Sequence, residues 1–116
     1  MKTLIMLVML ATLTLGRGVS VDAEENLLVG ISSENFGLRT SSAFYIGEYN
    51  VESGVIPLLK MLKNGDTEEE RILAANSLMK LNSDIGKYAV KQRSKFDESP
   101  RVRRMCGIFY NAIGEM

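Results

Sequence analysis

Three stretches of the chain repeat one pattern of apolar, small and polar positions. They align without gaps: LRTSSAFYIGEYN from Leu38, ERILAANSLMKLN from Glu70 and VRRMCGIFYNAIG from Val102. Each has an arginine in second place, Arg39, Arg71 and Arg103, so the stretches recur twice at an interval of 32 residues. Three residues after the arginine come Ser42, Ala74 and Cys106, and four after it Ala43, Ala75 and Gly107, all small. Seven after it come Ile46, Leu78 and Tyr110, and ten after it Tyr49, Leu81 and Ile113. Offsets of three, four, seven and ten share one face of an α-helix. Small residues in the middle of such a face let a neighbouring helix approach closely.

Each stretch is preceded by a second helical pattern. Ahead of Arg71, Val55, Ile56, Leu58, Leu59, Met61 and Leu62 are apolar, and Pro57 is tolerated in a first turn. Asn64, Gly65, Asp66 and Thr67 then predict a turn, with Thr67 or Asp66 capping the next helix. Ahead of Arg39, Leu27, Leu28, Val29 and Ile31 take the same part. Ahead of Arg103, Tyr88, Ala89, Val90 and Phe96 form the apolar face, and residues 97–100 the turn. Each unit therefore reads as helix, turn, helix, in repeats of about 24–53, 54–84 and 85–116.

The run Phe96-Asp97-Glu98-Ser99-Pro100-Arg101-Val102-Arg103, followed by small residues and by Ala112-Ile113-Gly114, resembles the short bacterial HEAT repeat. Residues 55–82 are similar, with Glu70 where that pattern has valine. The first unit keeps Arg39, Ala43, Ile46 and Gly47. The resemblance covers residues 24–116 and implies an all-α fold, an α-solenoid of about three helix-turn-helix repeats. It also implies binding of a protein or peptide as the role, and brings no catalytic residue. Related repeats assist chromophore attachment in light-harvesting complexes, an accessory role that an export signal argues against. In such stacks the repeat arginine pairs with an acidic loop residue, which for this chain implies Asp97 with Arg103 and Asp66 with Arg71.

The first 23 residues break the pattern. Lys2 precedes an uncharged apolar run over residues 4–15, followed by Gly16, Arg17, Gly18 and then Val21, Asp22 and Ala23. That is the layout of a secretory signal cleaved after Ala23, and the run would span only about 18 Å as a helix against a hydrocarbon core of roughly 30 Å. The expected product is residues 24–116, periplasmic or secreted, without stable membrane insertion. Cys106 is the one cysteine, so no internal disulfide forms. Charge is balanced overall but divided along the chain. Residues 24–70 hold nine acidic and three basic side chains, and residues 71–116 hold four acidic and nine basic. Such asymmetry can steer a partner or pair copies head to tail.

Candidate chemistry is sparse. The chain has no histidine, which removes the common general base and most zinc sites, and neither metal nor cofactor is expected. Glu68, Glu69 and Glu70 sit about 100° apart on a helix and suit its positive N-terminal end better than a shared reacting atom. Cys106 shares its place with Ser42 and Ala74, so its size accounts for it. Lys87, Lys91, Arg93, Lys95, Arg101, Arg103 and Arg104 form a basic stretch interrupted by Asp97 and Glu98, and no nucleic-acid partner is expected. Positions one, five and eight after each repeat arginine lie away from the predicted core. Phe44, Ile72, Met79 and Ile108 are apolar there, and with Asn76 and Arg104 they make a candidate partner-binding groove on the second helices. The predicted function is a non-enzymatic interaction scaffold. The alternatives are an accessory subunit of an enzyme complex and a module that self-assembles through its C-terminal repeat.

Overall fold

The structure, a computed structural model, describes residues 20–114, with side chains followed as far as Ala112. Most of the expected signal segment, residues 1–19, lies outside the described residues. The rest opens helix α1 (Val21–Gly30), where Ser20 accepts a hydrogen bond from the Ala23 amide at 3.2 Å. Cleavage after Ala23 would therefore remove this cap and the start of the first turn.

Five further helices follow: α2 (Phe36–Glu48), α3 (Val55–Asn64), α4 (Glu68–Leu81), α5 (Asp84–Phe96) and α6 (Pro100–Gly114). The described residues are all-helical, with one 3-10 turn at Glu52–Gly54 ahead of α3. None of these helices is long and apolar enough to cross a membrane.

Local chemistry explains the boundaries. Asn35 caps α2 by accepting from the Leu38 amide at 2.9 Å, and Ser83 caps α5 through the Gly86 amide. Thr67 and Glu70 form a reciprocal capping box on α4, two side chains each serving the other's backbone amide. Ser99 accepts from the Val102 amide, and Pro100 begins α6 where a missing amide hydrogen costs nothing. Past the ends of α2 and α4, Asn50 and Asn82 adopt left-handed backbone with φ of 54° and 56°. Both stand eleven residues after their arginine, and asparagine tolerates that conformation better than most side chains.

The helices pack as consecutive pairs, α1 with α2, α3 with α4 and α5 with α6. Helix α4 also packs on both α2 and α6, and α3 touches α5. Ile46, Leu58, Leu62, Leu78, Met79, Val90, Val102 and Cys106 fill the core. Between α2 and α4 the approach is close. A Cβ on Gly47 would come within 2.9 Å of the Ser77 Cα, and the Ser77 hydroxyl donates to the Ala43 carbonyl at 2.8 Å. Among the expected apolar positions Tyr49, Tyr88 and Phe96 are exposed, because among the described residues α2 has no helix but α1 on its outer side and because α5 turns Gly86 and Val90 inward instead.

Candidate partner-binding surface

The repeat arginines set the frame of any surface on this molecule. Each reaches back six residues to a carbonyl in its own loop: Arg39 to Ser33 at 3.0 Å, Arg71 to Gly65 at 2.7 Å and Arg103 to Asp97. Two of them also reach forward to a carboxylate of the next pair. Arg39 Nε meets Glu70, and Arg71 Nε meets Asp97 Oδ2 at 3.2 Å. The carboxylate thus comes from the following unit, not from the arginine's own turn. Arg71 pairs with Asp97 rather than Asp66, and among the described residues Arg103 uses only the backbone carbonyl of Asp97.

These pairs are not solvent-facing. Arg71, Asp97 and Glu70 are buried, and among the described residues every buried side-chain nitrogen or oxygen has a hydrogen-bond partner. Charge can be buried here because each group is paired and bonded. Burial alone would raise the Glu70 carboxyl, but Arg39, the Thr67 amide and the Thr67 hydroxyl outweigh it and hold the carboxyl below its ordinary value.

The six residues of the predicted groove do not lie together as one apolar surface. Phe44, Arg104 and Ile108 are exposed, while Ile72 and Asn76 are partly buried. Met79 is fully buried and is a core residue, not a surface one. The reason is geometric. The eighth place after the arginine lies one turn beyond the fourth and faces the next second helix, as Gly47 does toward Ser77. Phe44, Asn76 and Ile108 occupy the same place on α2, α4 and α6. Polar Asn76 therefore divides the two apolar residues, which lie two helix spacings apart, roughly 20 Å. Lys80 covers Phe44 further, its ammonium 5.3 Å from the ring centre while it pairs with Glu48.

A more continuous apolar surface lies on the first helices. Leu59, Leu62 and Lys63 of α3 face Ile85, Tyr88, Ala89, Gln92 and Arg93 of α5 across a cleft of about 410 Å³. Its wall is mainly apolar, and its charged lining residues, Lys63 and Arg93, are both basic. Ile85 and Tyr88 stand 56% and 65% exposed at its edge, more open than Phe44 at 39%. The spacing of Ile85, Tyr88, Ala89 and Gln92 is visible as a helical stripe, but that stripe reads equally well as a core face.

The remaining reactive groups are tied into the structure. Glu68 accepts from the Ser99 hydroxyl at 2.9 Å, and Arg101 bridges Glu68 and Glu69. The backbone amide at the helix start and then Arg101 hold the Glu69 carboxyl below its ordinary value. Cys106 is buried, and that burial, with Asp97 nearby, pushes its thiol up to about 11. No cluster of three or more metal-ligating side chains occurs among the described residues. No protein-family model and no curated protein matches the chain.

Proposed function

We propose that this protein is a non-enzymatic scaffold, an α-solenoid of three HEAT-like repeats that holds an apolar segment of another protein. The docking site is the cleft between α3 and α5, and the segment is an amphipathic helix or peptide with acidic flanks. One observation carries the reading: an apolar cleft whose charged lining residues are Lys63 and Arg93. Its volume accommodates one or two apolar side chains, and basic groups beside it favour carboxylates next to those anchors. The interval of 32 residues, the recurring arginine-to-carbonyl bond and the matching asparagine turns support the repeat reading. The layout of residues 1–23 supports export, which fractionation of cells expressing the full chain tests.

The binding test uses a labelled synthetic helix with leucines at positions i, i+3 and i+4, flanked by glutamates, and a sister helix flanked by lysines. Fluorescence anisotropy should show binding of the acidic helix only, weakening as salt rises. Ile85→Asp or Tyr88→Asp should abolish it while circular dichroism stays unchanged, since both side chains are exposed. Equal binding of the two helices, or undiminished binding by both variants, would refute the proposal.

A further inference from the structure

The outer side of α2 leaves open the positions that α4 and α6 bury. Leu38 is 52% exposed, whereas Glu70 and Val102, in the same place on the next two second helices, are 2% and 0% exposed. Tyr49 is 52% exposed and its counterpart Leu81 is 7%. Tyr45 stacks on Tyr49, with ring centres 5.6 Å apart, and is also exposed.

The far end of the array shows the opposite deficiency. Ala43 and Ala75 are fully buried, but Gly107 in the same place on α6 is partly open. Gly47 and Met79 are buried, whereas Asn111 is exposed. Arg103 has its loop carbonyl but, among the described residues, no carboxylate like those that meet Arg39 and Arg71. The N-terminal end holds a candidate for that role. Glu34 occupies the loop position of Glu98, which lies 3.9 Å from Arg71. It forms no ion pair among the described residues.

We infer that these two ends bind each other, a second copy of this chain continuing the stack head to tail. In the existing interfaces the sixth place after the arginine sits against the fourth and eighth of the preceding second helix, as Ser77 does on Ala43 and Gly47. Applied once more, that register lays Tyr45 of one copy over Gly107 and Asn111 of the other. A large residue is accommodated there, since Phe109 takes the same place on α6 and packs, partly buried, against the core. The same register brings Glu34 toward Arg103. The acidic N-terminal half meets the basic C-terminal half, so the ends attract before they touch. Such contacts join unlike surfaces and grow as open chains unless their rotation closes a ring. The surface is separate from the α3–α5 cleft, so Ile85→Asp leaves the association unchanged.

Sedimentation velocity of the full chain over a concentration series tests this. The average mass should rise with concentration and fall with added salt. Glu34→Arg and Arg103→Glu should each weaken association at least tenfold, and mixing the two variants should restore it. Tyr49→Asp, at an exposed position away from the arginine bonds, should abolish it and serves if Arg103→Glu fails to fold. A monomer at every concentration overturns the inference, whatever else covers the α2 face. Association that survives Glu34→Arg and Tyr49→Asp overturns it as well, assigning the contact to another part of the chain. Failure of the mixed variants to rescue would point to a face-to-face pair and equally overturn it.

Discussion

The α2–α4 and α4–α6 interfaces use the same places in the repeat but close them with different chemistry. Between α2 and α4, glycine meets serine almost backbone to backbone, and Glu70 of the capping box supplies the carboxylate for Arg39. Between α4 and α6 the corresponding places hold buried Met79 and partly buried Phe109, and the loop residue Asp97 meets Arg71. The arginine is the constant and the acid is movable. A helical repeat can therefore keep its register while its interfaces vary, provided some carboxylate arrives within reach of the guanidinium.

The largest effect is expected from removing the more deeply buried arginine. Arg71→Ala strands Asp97, whose side chain is 2% exposed, and should cost about 3–5 kcal/mol by urea unfolding. Glu70→Gln weakens the other interface and the α4 capping box together, at about 2–3 kcal/mol.

This second variant also has a pH signature. The Glu70 carboxyl is lowered from 4.5 in the folded chain, so its stabilisation is complete above that value and lost as pH falls through the lower, folded value. Acid unfolding of Glu70→Gln should accordingly be flatter than that of the parent below about pH 4.5.

Glycine substitutions should have smaller effects. Gly47→Ala pushes a Cβ into Ser77 and should destabilise by about 1–3 kcal/mol. Gly107→Ala meets nothing closer than Ser94 Cβ at 4.0 Å and should stabilise α6 by up to about 1 kcal/mol. If both lower the melting temperature alike, the close approach is not special to the α2–α4 contact. Lys80→Ala, at a surface pair with Glu48, should change stability by less than about 1 kcal/mol.

The helices were legible in the sequence, because the arginine, the small pair and the closing asparagine or glycine recur at fixed offsets. Thr67 announced its cap in the same way. The surface was less legible. A helical wheel ranks positions by direction from one helix axis, but α4 has neighbours on two sides, so Met79 lies opposite one core and inside another. Position along the array matters too. Tyr49 and Leu81 hold equivalent places, yet among the described residues only Leu81 has a preceding second helix to cover it. The arginine partners were hidden for a related reason: the nearest acid in sequence, Asp66, is not the one that crosses to Arg71.

The buried Cys106 makes the last helix its own stopwatch. Cys106 sits on the buried face of α6 with its thiol pushed up to about 11, so a disulfide reagent reaches it only when that helix lifts. The labelling rate of the native protein therefore reports opening of α6, with no engineered residue needed.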